Sequence, residues 1–171
     1  MSTPPADNVD QLARERLKAD EAGADILALV AEHGWALVAV DSVPPFTYTV
    51  GLWRMADHPE LIITGLPAET ANWVLDRAVQ EIREGRAISP GTTVPGLIGE
   101  YPAAAREVDA ARLSELAFAA ELYRGIVFRA VQVIWPDRTG KFPWDRGSPS
   151  EYRQAQPLLF SSSRLGRLFG K

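Results

Sequence analysis

The stretch "PPFTYTVGLWRMADHPELIITGLP", residues 44–67, holds the signals from which the fold is read. Proline has no N–H to give a sheet ladder, so Pro44 and Pro45 mark a connection rather than a strand interior. From Phe46 the residues alternate. Phe46, Tyr48, Val50 and Leu52 fall on one side of an extended chain, and Thr47, Thr49 and Gly51 on the other. "ELIITGL" (60–66) is a second run, β-branched and too short for a helix. The segment from Trp53 to Pro59 reads as the loop between them, and the pattern predicts a hairpin.

Outward from this core, "WALVAVD" (35–41) reads as another strand. Before it, Val9, Leu12, Ala13 and Leu17, then Ile26, Leu27, Leu29 and Val30, recur at helical spacing up to His33, and Gly34 supplies the stop. After it, Pro67 opens a helix whose apolar positions are Ala71, Val74, Leu75, Ala78, Val79 and Ile82, with Gly85 at its end. Residues 87–102 read as loop with a short strand. A helix is expected from about Ala110 to Arg124, a long strand at 126–135, a turn at 136–140 and a short return strand at 141–145. This order predicts a single α+β domain, a mainly antiparallel sheet with helices packed on it, over residues 9–160. Residues 1–8 and the basic tail 161–171 are expected to be flexible ends.

Composition narrows the chemistry. A chain of 171 residues with 46% hydrophobic content can bury one real core. Its net charge of −4 lacks the basic field of a general nucleic-acid binder. With no cysteine, disulfides, thiolate nucleophiles, iron–sulfur clusters and cysteine-bearing zinc sites are excluded. His33 and His58 are the only imidazoles, so a three-histidine metal site is excluded too, and no metal is expected. "PGTTVPGLIG" (90–99) lacks the Lys-Ser/Thr pair of a phosphate loop, and no Gly-x-Ser-x-Gly elbow is present. The first 25 residues contain no apolar core of a secretory signal, and no run has the roughly 18 apolar residues of a spanning helix. The expectation is a cytoplasmic protein with no membrane span.

Candidate residues gather at strand ends. His58 and Glu60 are the acid/base candidates. Tyr48, Thr49 and Gly51 are placed to orient a ligand, and Trp135, Asp137 and Trp144 to wall it. Each has a plainer reading. His58 can serve as a cap for backbone groups, the threonine side as the solvent face of a one-sided sheet, and the tryptophans as a lid on the sheet end. His33, at a helix C-terminus, complements the dipole there.

The pattern "HGWALVAVD…PPFTYTVGL…HPELIITGLP", then "LYRG…VQVIWPD…GKFPWD" and "QPLL", resembles the bacterial domain-of-unknown-function family 4262 over roughly residues 24 to 160. Gly34, Trp35, Tyr48, Thr49, Gly51, Leu52, His58, Pro59, Glu60, Gly65, Gln132, Trp135, Asp137, Pro143 and Trp144 match its motifs. The resemblance implies a small stand-alone bacterial cytoplasmic protein and supplies no reaction.

Three functional readings stay open. One is a small-molecule-binding domain with its site between the 46–60 hairpin and the 135–145 turn. Another is a non-catalytic protein-interaction or regulatory (immunity-like) module with Trp53 and Trp73 as contact anchors. The third is a catalyst that uses carboxylates alone. Within the first, hairpin strands followed by a helix are loosely similar to flavin-binding split barrels, a fold-level analogy that makes flavin the cofactor to test. No phosphate-binding Arg/Lys cluster is evident near the hairpin.

Overall fold

Ala71, Val74, Leu75, Ala78, Val79 and Ile82 share one side of a 3.6-residue period, and all of them are buried. In the computed structural model, which describes residues 21–161, they form the inner face of a helix laid across a sheet. The elements run α1 (Glu21–His33), β1 (Ala36–Val40), β2 (Phe46–Val50), α2 (Leu52–Ala56), β3 (Glu60–Thr64) and α3 (Ala68–Arg83). Then come β4 (Thr93–Ile98), β5 (Tyr101–Glu107), a 3₁₀ segment (Ala110–Glu115), α4 (Ala117–Leu122), β6 (Ala130–Ile134) and α5 (Ser150–Ala155).

Among the described residues six strands lie in the order β1-β2-β3-β6-β5-β4. Every neighbouring pair is antiparallel except the central β3–β6 pair. The α+β architecture is therefore as expected, but the sheet is open, with β1 and β4 at its edges. Closure into a split barrel is not what these strands do.

Both faces of the sheet are covered. α3 packs on Leu61, Ile63, Val131, Val133, Ala103 and Ala105. Tyr48, Val50, Ile62 and Ala130 meet Leu116, Ala119, Leu122, Tyr123 and Phe128 on the other face, with Ile26, Leu27 and Val30 of α1 packed alongside. That double cover corrects the one-sided reading of β2: Thr47 and Thr49 are buried, at 1% and 0% exposure.

Other differences have local causes. The expected loop after β2 contains the one-turn helix α2. Residues 93–107 form a full hairpin, β4–β5, where the alanine run 103–105 hid a strand. The expected helix from Ala110 to Arg124 breaks at Leu116 into the 3₁₀ segment and α4. β6 pairs only from Ala130, and 141–145 is turn rather than strand. The expected helix over residues 9–20, the flexible 1–8 and the basic tail beyond Ser161 lie outside the described residues. Among the described residues, no helix is long and apolar enough to cross a membrane.

Candidate functional site

β2 ends where Gly51 takes φ of 112°, a left-handed conformation that suits glycine. A Cβ there would stand 2.4 Å from the Gly34 carbonyl oxygen. The chain turns directly into α2, whose first N–H groups need acceptors, and Gly51 has no side chain to offer one. The acceptor comes from the start of β3. Gly51 N–H and Trp53 N–H donate to Glu60 Oε1 at 3.0 and 3.1 Å. The Tyr123 hydroxyl donates to the same oxygen at 2.7 Å. Thr49 Oγ1 donates to Oε2 at 2.6 Å and accepts the Leu61 N–H at 2.8 Å, extending the β2–β3 contact one residue past the backbone ladder.

Glu60 is wholly buried. Burial pushes its carboxyl above the usual range, against the pull of its Thr49, Tyr123, Trp53 and Gly51 donors. Burial, together with the neighbouring Glu60 charge, drives the Tyr123 phenol upward as well. On the outside of this group the Arg54 guanidinium lies over the Tyr123 ring, 5.6 Å from its centroid.

His58 is buried with both ring nitrogens engaged. Nδ1 stands 2.7 Å from the Pro59 carbonyl oxygen, and Nε2 is 3.0 Å from the Ile88 N–H. The carbonyl needs a donor and the amide an acceptor, so the neutral Nδ1–H tautomer satisfies both. Burial pushes the His58 pKa below its ordinary value of 6.5, outweighing the two backbone contacts. A His58→Ala variant is expected to lose about 1–3 kcal/mol, because the Ile88 N–H is left buried without an acceptor. The stability gap between wild type and His58→Ala should also shrink as pH falls below 6.5 and through the lowered native value, since acid must charge a buried ring in the wild type alone. Urea unfolding of both proteins on either side of pH 6.5 checks both, and a gap that does not change with pH would sink the assignment.

Tyr48 is buried beside Phe46, accepts the Phe118 N–H on its hydroxyl at 3.0 Å, and is pushed up to about 12 by burial. It thus joins α4 to the sheet.

Trp135, Asp137 and Trp144 lie elsewhere. In the parallel β3–β6 ladder Glu60 stands beside Ala130, so Trp135, five residues on, emerges at the far end of the strands, about 16 Å away at ~3.3 Å per residue. One pocket framed by both groups is therefore corrected to two separate regions. At the far end Trp135 Nε1 donates to the Thr64 carbonyl at 2.8 Å, and the ring packs edge-on against Tyr152. Asp137 Oδ1 accepts Thr139 N–H, Thr139 Oγ1–H and Lys141 N–H, which close the 137–141 turn and hold the carboxyl low. Trp144 is stacked on Phe142 with the Arg106 guanidinium 4.8 Å from its ring centroid.

The structure thus gathers Thr49, Gly51 and Glu60 from the candidates and adds Tyr123 and Arg54, which sequence reasoning did not single out. Tyr123 stood in "LYRG", one residue past α4, and only the tertiary fold brings it to Glu60.

Beside this network is a cavity of about 740 Å³ lined by Ala24, Leu27, Ala28, Val30, Ala31 and Gly34 of the α1 region, Arg54 and Met55 of α2, and Leu122 of α4. α2 joins the two features. Its leading N–H groups end on Glu60, and its Arg54 and Met55 side chains face the cavity. Among the described residues no cluster of His, Asp and Glu could hold a metal ion.

No curated protein and no solved structure matches the chain. The family model described as Domain of unknown function (DUF4262) matches residues 29–149, most of the chain and all of the Glu60 network. On that match the chain belongs to the DUF4262 family.

Proposed function

We propose that this chain is a small-molecule-binding domain whose ligand sits in the cavity between α1, α2 and α4. The cavity carries the proposal: 740 Å³ falls inside the range typical of ligand sites, and its lining is apolar apart from Arg54. The ligand class that fits is a compact molecule with an apolar body and a polar end turned toward α2. Thr49, Gly51, Glu60 and Tyr123 act here as a support that fixes α2, and hence Arg54 and Met55, against the sheet. Binding suits these residues better than catalysis. Both oxygens of Glu60 and both ring nitrogens of His58 are spent on internal hydrogen bonds, which leaves neither group a free hand for a substrate proton.

The test uses the apolar anionic dye 1-anilinonaphthalene-8-sulfonate on the full chain. Saturable one-to-one binding is expected, weakened at least about tenfold in Ala28→Trp, where an indole fills the space a ligand would take. Far-ultraviolet circular dichroism must stay unchanged in the variant. Equal dye binding by both proteins would remove the cavity from consideration.

The protein-interaction reading keeps one specific observation. Trp73 is 50% exposed on the outer side of α3, with the Arg77 guanidinium 5.2 Å from its ring centroid, an aromatic–arginine pair of the kind that anchors partners. A partner lost in Trp73→Ala, with dye binding intact, would establish it beside the cavity.

A further inference from the structure

The two edges of the sheet are built differently. β4 carries Pro95 and Gly96 at a register break between Val94 and Ile98, devices that stop an edge from recruiting another strand. β1 has no such device. Ala36–Val40 reads Ala-Leu-Val-Ala-Val, without charge, proline or bulge, in unbroken register with β2 from Ala36–Val50 to Val40–Phe46. Its other long side is paired with no strand among the described residues, and Ala39 is exposed there.

The strand also complements itself. Laid antiparallel on a second copy with Val38 against Val38, it sets Leu37 opposite Ala39 and Ala36 opposite Val40. Either side of the central Val38 pair, the junction then matches a large side chain with a small one, Leu37 with Ala39 and Val40 with Ala36, so cross-strand neighbours fill space without collision. A slip by one residue would turn inward-facing side chains outward, so the burial of Ala36 and Val38 excludes such slips. Charge is compatible. No ionisable side chain lies within β1, and Asp41, the first beyond it, would meet Trp35 of the second copy rather than another acid.

We propose that β1 is a self-association edge: a second copy of this chain pairs with it antiparallel about Val38, forming a twofold dimer in which two six-stranded sheets become one. The junction is independent of any ligand in the cavity.

Sedimentation of the full chain should give twice 18.7 kDa. Ala39→Lys puts a charge on the edge without entering either core, and is expected to return the protein to 18.7 kDa with an unchanged far-ultraviolet spectrum. Register is read by cross-linking, because the chain has no cysteine of its own. Oxidised Val38→Cys should form a covalent dimer, since residues directly opposite lie within disulfide reach. Ala39→Cys should not, since its mate is displaced by two residues. A wild-type monomer at the highest attainable concentration, a dimer that survives Ala39→Lys, or cross-linking of Ala39→Cys without Val38→Cys would each overturn the proposal.

Discussion

Replacing Glu60 by alanine is expected to remove about 3–5 kcal/mol of stability, comparable to the whole margin of many domains. The loss comes less from the carboxylate than from what it leaves behind. Trp53 N–H, Thr49 Oγ1–H and Tyr123 O–H all end on its two oxygens, in a place without water access, while Gly51 N–H is shared between Glu60 and the Tyr123 hydroxyl at 3.1 Å. Each buried donor left without an acceptor costs about 1–3 kcal/mol. The start of α2 is freed as well, so the damage should spread to Met55 and Arg54 and to the cavity beside them.

Glu60→Gln separates shape from charge. The amide oxygen can take the three donors on Oε1, while its NH₂ turns toward Thr49 Oγ1, which already accepts the Leu61 N–H. The variant should fold, at a cost of about 1 kcal/mol where the wild-type carboxyl is protonated. Burial raises the native pKa of Glu60 above 4.5. Its favourable contribution is therefore complete below 4.5 and lost as pH rises through the native value, by at most about 1.4 kcal/mol per pH unit. The gap between wild type and Glu60→Gln should accordingly narrow from pH 4.5 toward neutrality. Urea unfolding of both proteins across that interval reads it directly. A constant gap would mean that Glu60 is ionised in the native state at no net cost.

Which parts of this were legible in the sequence follows from where each signal resides. β2, β3 and α3 carry their information locally, in alternation, in proline at Pro44 and Pro67, and in a helical period. β5 does not. Its Ala103–Ala105 run has weak strand propensity, and it is a strand because Ala104 and Ala105 pair with Ile134 and Val133 and because small side chains let the flanking layers approach. α2 is too short to announce itself, and its N-terminal acceptor is Glu60, beyond the helix in the sequence. The site divides in the same way. Thr49, Gly51, His58 and Glu60 were singled out because polar residues at strand ends are conspicuous. Their partners Tyr123 and Ile88 are distant in sequence, so an internal network and a reaction centre look alike until the fold joins them. The two tryptophans misled for a related reason: nothing local to "VIWPD" or "FPWD" says that β6 runs parallel to β3 and carries them to the opposite end.

At that opposite end the second large effect is expected, in Gly65→Ala. Gly65 closes β3 with φ of 81°, and a Cβ on it would lie 2.0 Å from the Ala155 carbonyl oxygen and 2.8 Å from the Ala155 carbonyl carbon. Both obstacles are backbone, and that backbone is not free to yield. Gln156 Oε1 accepts the Trp135 N–H at 2.9 Å while its Nε2 donates to the Trp135 carbonyl at 2.8 Å. Gln132 Nε2 donates to the Pro157 carbonyl at 2.8 Å, and its Oε1 accepts the Leu159 N–H at 2.8 Å. A methyl group at 65 must therefore either displace β3 or tear residues 155–159 from the Trp135 backbone and the fully buried Gln132. Left-handed strain and overpacking together set the cost at about 2–6 kcal/mol. Gly85→Ala is the matched control. Its φ is 86°, nearly the same, but nothing lies within 4 Å of its Cβ position, so only the backbone preference of about 1–2 kcal/mol should be lost. Hydrogen exchange gives the sharper reading: protection should fall selectively at Gln156 and Leu159 in Gly65→Ala and stay intact there in Gly85→Ala. Equal losses in the two variants would mean that the 155–159 strap yields freely and that its bonds to Trp135 and Gln132 hold it only loosely.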